Sequence, residues 1–189
     1  RNALFGINAA FYDIKDKIPF MGFCSNGYIN DNLIQNIPFV IIKSGKAEIV
    51  KNLNQDVVNQ VDEFFQVGPL LIWQGQEMKD YSYFKENKDL FDRYIDELPA
   101  PRSVFAYDEN HYYFITVDGR SKESAGLFLG ELTEFLMKLN LINAINLDGG
   151  SSTTLVYKNK VINVPSGIPW KMIPKLERSV SSVLLGFTV

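Results

Sequence analysis

Short apolar runs separated by turn residues recur along this chain, and they predict β-strands. Residues 39–50 contain two such runs around Ser44-Gly45, which predicts a β-hairpin. Residues 102–107 and 112–117 alternate in polarity around Asp108-Glu109-Asn110 and predict a second hairpin. Further strands are predicted at residues 4–11, 22–29, 70–73, 144–147, 154–157, 161–164 and 180–187.

Two segments place apolar residues at helical spacing. The first follows a possible Asn54 cap and holds Val57, Val61, Phe64 and Phe65, and the second holds Leu132, Phe135, Leu136 and Leu139 and ends near Asn140. Strands outnumber helices and hairpins dominate. The pattern therefore predicts the α+β class, with a mixed, largely antiparallel sheet and two or three packed helices in a single domain, and it argues against a doubly wound fold.

The length of 189 residues suits one domain over residues 1–189. Within it, residues 75–99 differ in character, because they combine charged residues with five aromatic ones. We expect this segment to be an insertion with a short helix that folds over a cleft as a lid. The alternative is a solvated helix packed on the edge of the domain.

Composition and charge limit the possible partners. The net charge is −3, so no broad basic field favours nucleic acid. No apolar run reaches transmembrane length, and no signal peptide is visible, so membrane insertion of this segment is not expected. Cys24 is the only cysteine and cannot form an internal disulfide. Fourteen Phe and nine Tyr are enough to fill a core and also line a carbohydrate-binding cleft.

The stretch 144–154 carries the strongest chemical signal. A predicted strand runs into Asp148-Gly149-Gly150, and four hydroxyl residues follow. The two glycines allow positive φ and close approach of a ligand to the backbone, and the amides of such a turn can form an anion-binding nest. A carboxylate beside the nest is a candidate acid or base. The alternative is a hairpin corner whose aspartate caps its own turn.

Polar groups recur at other predicted strand ends. They are Asn8, Arg102, Asp118-Gly119-Arg120, Asn146 and Glu177-Arg178. Polar residues at one rim of a rigid scaffold commonly build a site, and three arginines suit an anionic oxygen ligand. The alternative is a buried hydrogen-bond network that ties strand ends together through Arg–Asp pairs.

Eight stretches, taken in order and spacing, form a more specific pattern. They are Gly6–Tyr12, Gly68–Leu71, Pro101–Ser103, Val117–Arg120, Ser124–Leu127 with Glu131-Leu132 after it, Ala144–Thr154, Val161–Ser166 and Glu177–Val180. In this pattern the chain resembles the phosphodiester glycosidase domain family. It departs from the family at Ala9, Ala10 and Ser151, where glycine is usual, and at Phe128, where threonine is usual. These departures remove no carboxylate and no arginine.

The resemblance implies a hydrolase that cleaves the glycosidic C–O bond of a sugar-1-phosphodiester in a glycan or cell-envelope polymer. Asp148 is the first candidate for base or nucleophile, Asp118 is the second carboxylate, and Glu177 is a third acid. The remaining candidates bind sugar or phosphate: Asn8, Arg102, Arg120, Asn146, Gly149, Gly150, Ser151, Thr153 and Arg178.

Two other functions stay open from the sequence, namely a non-catalytic glycan- or phosphate-binding module and a phosphodiesterase that cleaves P–O. No cofactor is expected. Asp13 and Asp16 form only a loose carboxylate pair, far from the spacing of a calcium loop, so no metal is expected either. The family resemblance favours an extracytoplasmic location, and the targeting segment is not present in this chain.

Overall fold

Three antiparallel sheets form the framework of the protein. The computed structural model describes residues 3–52, 58, 60–86, 98–166 and 177–187. The strands are β1 (Phe5–Asn8), β2 (Phe23–Ser25), β3 (Tyr28–Asn30), β4 (Phe39–Lys43), β5 (Lys46–Val50), β6 (Glu63–Gln66), β7 (Leu70–Trp73), β8 (Gln76–Glu77), β9 (Arg102–Tyr107), β10 (Tyr112–Val117), β11 (Asn143–Asn146), β12 (Leu155–Tyr157), β13 (Lys160–Val161) and β14 (Val183–Gly186). The helices are α1 (Ser82–Glu86) and α2 (Leu129–Met137).

The central sheet has the order β10-β9-β11-β7-β8, and the two others have the orders β13-β12-β1-β14 and β3-β2-β6-β4-β5. Every strand pair in the described part of the chain is antiparallel. Both predicted hairpins are confirmed: β4 pairs with β5 around Ser44-Gly45, and β9 pairs with β10 around residues 108–111.

The core lies on both sides of the central sheet. Strand residues such as Val104 and Ala144 join Leu132 and Leu136 of α2 in one buried cluster. The neighbouring strand positions Phe105 and Ile145 join Ile7 and the rest of a second cluster, built with the other two sheets. Because successive side chains of a strand point to opposite faces, this sheet is covered on both. The covered sheet is the rigid part on which loops at its edge are positioned.

Helix α2 confirms the second predicted helix, with a shifted apolar face. Leu132 and Leu136 are buried as expected, whereas Phe135 and Leu139 are 47% and 39% exposed. At its start, the carboxylate of Glu131 accepts a hydrogen bond of 2.9 Å from the Phe128 amide, as in half of a capping box. Glu131 therefore has a structural role at the helix start.

The first predicted helix is confirmed at Val58, which is helical, and is wrong at its C-terminal end. Phe64 and Phe65 belong to strand β6, and they face two different clusters, so both sides of this strand are apolar. Two-sided burial of a short strand produces apolar spacing that resembles that of a helix. Asn54 and Val57 of the predicted helix lie outside the described residues.

The fold class is mainly β, with three antiparallel sheets and only two α-helices among the described residues. The predicted α+β class with one mixed sheet is therefore correct only in its antiparallel character and in the presence of packed helices.

The described start of the predicted lid packs on the domain. Tyr81 and Phe84 belong to the same buried cluster as α2, and the Tyr81 hydroxyl lies 3.0 Å from that of Thr133. Residues 87–97 of this segment lie outside the described part, so its role as a lid stays a prediction.

None of the described helices has the length and apolar character needed to cross a membrane.

Candidate functional site

Most of the predicted site residues lie at one end of the strands of the central sheet. Strand β9 begins there at Arg102, between the end of β10 and the end of β11. Val117 pairs with Arg102 on one side, and on the other Asn146 pairs with Val104. Asp118 and Asp148 therefore flank the start of β9, with main chains two strand spacings, or about 10 Å, apart.

The loop after β11 is fixed by its own backbone. The Asp148 amide donates to the Ala9 carbonyl at 3.0 Å, and the Gly150 amide donates to the Pro101 carbonyl at 2.9 Å. Gly150 has a φ of +59°, which favours glycine. Gly149 is required for another reason, since a Cβ there would lie 2.8 Å from the Pro101 carbonyl oxygen. Because the Gly150 amide is already engaged, it is not available to the predicted anion-binding nest.

Asn8 braces this loop against β9 and β1. Its Oδ1 accepts from the Ser103 hydroxyl at 2.7 Å and from the Thr154 amide at 3.0 Å. Its Nδ2 donates to the carbonyl of Asp148. Asn8 and Ser103 are both buried. These contacts match the hydrogen-bond network that the sequence left open as an alternative.

Asp118 is held from the opposite side of the site. Its Oδ1 accepts from the Val164 amide at 3.0 Å and from Nδ2 of Asn163 at 3.3 Å. The same Asn163 amide donates to the Thr153 carbonyl at 3.1 Å, so it links Asp118 to the loop after β11. Among the described residues, no donor lies within hydrogen-bond distance of Asp118 Oδ2. Two hydrogen bonds thus position one carboxylate oxygen of Asp118.

The three predicted arginines have different surroundings. The Arg120 guanidinium packs on the loop, since a Cβ on Gly150 would lie 3.1 Å from its Nη1. The Arg178 guanidinium lies over the Tyr12 ring at 5.6 Å from the ring centre. Arg102 is buried, and it donates from Nε to the Leu127 carbonyl at 3.0 Å, with a longer contact to the Leu98 carbonyl. Arg102 therefore links the start of β9 to the backbone at Leu127 and Leu98.

Tyr12 contacts the same group of residues, although its sequence context gave it no role. Its hydroxyl donates to the Ser179 carbonyl at 2.8 Å. Burial raises the pKa of Tyr12, and the Asp148 charge adds to this effect, whereas Ser152 and Arg178 act in the opposite direction. The phenol is therefore neutral at ordinary pH and lies within electrostatic reach of both Arg178 and Asp148.

Several buried polar atoms around the loop have no hydrogen-bond partner within the described part of the chain. They are Oδ1 of Asn146 and the hydroxyls of Ser151, Thr153 and Thr154. Nδ2 of Asn146 is engaged with the carbonyls of Gly68 and Leu147, at 3.1 and 2.9 Å. Buried polar atoms normally have partners, so this group is suited to ordered water or to a hydroxyl-rich ligand.

Other predicted positions lie differently. Glu177 is exposed next to Arg178, and its role as a third acid stays a prediction. Asp13 accepts from the amides of Lys15 and Asp16, at 2.7 and 2.9 Å, as a turn-capping aspartate does. Within the described ranges no group of three or more His, Cys, Asp or Glu residues could hold a metal ion.

Sequence reasoning missed three residues of the site, which are Tyr12, Ser103 and Asn163. All three lie inside stretches that carry the family resemblance, which is the signal that could have singled them out. Each makes its contacts to residues distant in sequence, such as Tyr12 to Ser179 and Ser103 to Asn8.

Comparison with known proteins finds relatives of this chain. The family model for phosphodiester glycosidase matches residues 1–187. The N-acetylglucosamine-1-phosphodiester alpha-N-acetylglucosaminidase of Bos taurus is 27% identical over 188 residues, which cover 97% of this chain and 30% of that protein. The protein of the same name from Homo sapiens is 26% identical over the same shares. The chain thus spans less than a third of the length of these curated relatives.

Solved structures share the fold. The catalytic domain of zebrafish N-acetylglucosamine-1-phosphodiester alpha-N-acetylglucosaminidase, auto-inhibited by its pro-peptide, superposes with a TM-score of 0.75 at 22% identity and covers 99% of this chain and 64% of that one. A hypothetical protein from Synechocystis superposes with a TM-score of 0.67 at 16% identity, covering 85% of this chain and 48% of that one. Since the family model spans nearly the whole sequence, the chain belongs to the phosphodiester glycosidase family.

Proposed function

We propose that the protein is a hydrolase that cleaves the glycosidic C–O bond of a sugar-1-phosphodiester in a glycan or cell-envelope polymer. The observation that carries this proposal is the position of Asp118 and Asp148 on either side of the β9 start. Two arginine side chains, Arg120 and Arg178, lie next to the same loop. Family membership and the name of the curated relatives support the same reaction class.

Asp148 either takes a proton from a water molecule that attacks the sugar carbon, or attacks that carbon itself to form a glycosyl ester that water then hydrolyses. Its backbone is fixed by Ala9 and Asn8, so the carboxylate is presented from a rigid position. Asp118 is the second carboxylate, with Oδ1 held by Val164 and Asn163. Glycosidases commonly use such a pair around an oxocarbenium-like transition state. Breaking the C–O bond sends the electron pair to the phosphate oxygen, which needs little help from an acid.

Arg120 and Arg178 bind the phosphate. Guanidinium groups match phosphate oxygens in a bidentate geometry, and a phosphodiester carries one negative charge to neutralise. Arg102 and Asn8 hold the backbone around the site in place, Arg102 through the Leu127 carbonyl and Asn8 through the Ser103 hydroxyl. The hydroxyls of Ser151 and Thr153 and Oδ1 of Asn146, which have no hydrogen-bond partner among the described residues, are suited to sugar hydroxyls or to the attacking water.

The decisive experiment is hydrolysis in ¹⁸O-labelled water, over a panel of α-linked sugar-1-phosphodiesters. C–O cleavage places the label on the sugar, and P–O cleavage places it on the phosphate. Label on the phosphate would replace the proposal by a phosphodiesterase. Binding without turnover across the panel would replace it by a glycan- or phosphate-binding module.

The chain offers a matched control for this assay. Asp148→Asn should abolish turnover. Asp108→Asn should retain it, because Asp108 lies in the β9–β10 turn, at the opposite end of the strands of the central sheet. Equal loss in both variants would show that the assay reports on folding and not on the proposed site.

A further inference from the structure

The segment that follows β1 lies between the two other chain segments of the site. Ala9 accepts from the Asp148 amide at 3.0 Å, and its own amide donates to the Ser182 carbonyl at 3.2 Å. The Ala10 amide donates to the Ser182 hydroxyl at 3.0 Å. Residues 8–12 thus connect the loop after β11 to the segment 177–182, which carries Arg178.

Tyr12 adds a side-chain contact to this connection. It is 7% exposed, and its single hydroxyl proton is used in the 2.8 Å hydrogen bond to the Ser179 carbonyl. Ser152 and Arg178 both lower the pKa of the phenol, so both lie within electrostatic reach of its oxygen. The ring face is also used, since the Arg178 guanidinium lies 5.6 Å from its centre.

We propose that Tyr12 is a positioning residue for phosphodiester recognition, which fixes the Arg178 guanidinium beside the Asp148 loop through its hydroxyl. This inference rests on the proposed function, because Arg178 is the group through which Tyr12 acts. The hydroxyl anchors the next residue, Ser179, through that residue's carbonyl, and this holds the Arg178 guanidinium over the Tyr12 ring, 5.6 Å from the ring centre. An arginine held in this manner loses less rotamer freedom when it binds an anion.

The hydroxyl can be removed without removing the ring. Tyr12→Phe keeps the buried aromatic surface and the cation–π contact with Arg178, but it loses the acceptor and the donor. A purely structural role would reduce activity on all substrates alike. A role through Arg178 reduces it only for substrates that carry the phosphate charge.

The activity test compares a phosphodiester with a neutral aryl glycoside of the same sugar. Tyr12→Phe should lower kcat/KM about threefold to tenfold more for the phosphodiester, which corresponds to one lost hydrogen bond. Tyr28→Phe is the matched control, because Tyr28 is an exposed tyrosine of the β2–β3 hairpin. Equal losses on both substrates would overturn the proposal while leaving the proposed reaction in place.

A double-mutant cycle tests the route through Arg178. In an Arg178→Met background, Tyr12→Phe should cause no further loss on the phosphodiester, since its partner is already absent. An undiminished loss in that background would mean that Tyr12 acts independently of Arg178, which contradicts the proposal.

A binding measurement separates this inference from the reaction itself. Calorimetric titration with inorganic phosphate should show binding to the wild type, which weakens in Arg178→Met and weakens about threefold to tenfold in Tyr12→Phe. If no sugar phosphodiester is turned over but phosphate binding depends on Tyr12, the reaction is wrong and the inference holds. Absent binding to the wild type, or unchanged binding in Tyr12→Phe, overturns the inference.

Discussion

Two aspartates lie in turns at opposite ends of the strands of the central sheet, and they are held in different ways. Asp108 receives its hydrogen bonds from its own hairpin: the amides of Asn110 and His111 donate at 2.7 Å each, and the Tyr113 hydroxyl donates at 2.6 Å. Asp148 is fixed instead through its backbone, by Asn8 and Ala9 from a strand about 140 positions earlier.

These different surroundings distinguish an aspartate that stabilises its own turn from one that lies in the candidate site. Local donors satisfy the carboxylate of Asp108, and the hydrogen bond from Tyr113 holds its pKa well below the ordinary value. Such an aspartate stabilises its hairpin. Asp148 is positioned by distant segments, the Arg120 guanidinium packs on its loop, and both Asp148 and Arg178 act on the pKa of Tyr12, which supports the role proposed for Asp148.

The strongest test of this contrast exchanges each carboxylate for an amide. Asp148→Asn should lower kcat by about 10²–10⁴, the usual loss for a positioned base, with the fold retained. Asp108→Asn should leave kcat unchanged. Steady-state kinetics with circular dichroism on both variants checks this, and near-normal kcat in folded Asp148→Asn would transfer the role to Asp118.

The next test concerns the two differently placed arginines. Arg120→Met should lower kcat/KM for a phosphodiester by about 10- to 100-fold relative to a neutral aryl glycoside, since one charge-assisted hydrogen bond is lost. Arg102→Met should instead lower the melting temperature and affect both substrates alike, because Arg102 binds the carbonyls of Leu127 and Leu98. The reverse pattern would show that Arg102 binds the phosphate.

A smaller effect is expected at Gly150. An alanine at position 150 would have to adopt a φ of +59°, and its Cβ would contact the Arg120 guanidinium. We expect Gly150→Ala to lower the free energy of unfolding by about 1–2 kcal/mol and to lower kcat/KM for the anionic substrate. Gly45→Ala is the control, with a φ of +75° and no atom within 4 Å of its Cβ. Denaturant unfolding should show similar losses in both variants, and only Gly150→Ala should change substrate preference.

The smallest effect is the pH dependence of the Asp108 turn. Because the folded pKa is lowered from 3.8, the stabilisation is fully present above pH 3.8 and is lost as the pH falls below it. The melting temperature of the wild type should exceed that of Asp108→Asn at pH 7, and this gap should close in acid. A gap that grows in acid would contradict this account.

Local elements of the fold were predictable from the sequence. The Ser44-Gly45 turn has both residues at positive φ, 51° and 75°, so the turn chemistry itself specifies the hairpin. The β6 strand was not predictable in this way, since Phe64 and Phe65 are buried on opposite faces by contacts with other strands. Apolar spacing alone does not separate that case from a helix.

The candidate site shows the same limit. Polar residues at strand ends identified Asp148, Asp118 and Asn8, because such residues stand out against apolar runs. Tyr12 did not stand out, since an aromatic residue after an apolar strand reads as core. Its partner Ser179 lies 167 residues away in sequence, and only the folded chain brings the two together.

Strand β1 has a consequence for how the protein folds. It lies between β12 and β14, and Phe5 is paired with Tyr157 on one side and with Gly186 on the other. During synthesis, the hydrogen bonds of β1 can therefore form only after two segments much later in the sequence have been made. Such long loop closures make folding slow, and we expect the reaction site to be among the last parts of the molecule to become ordered. A ligand that binds there would then stabilise the closure of the whole chain.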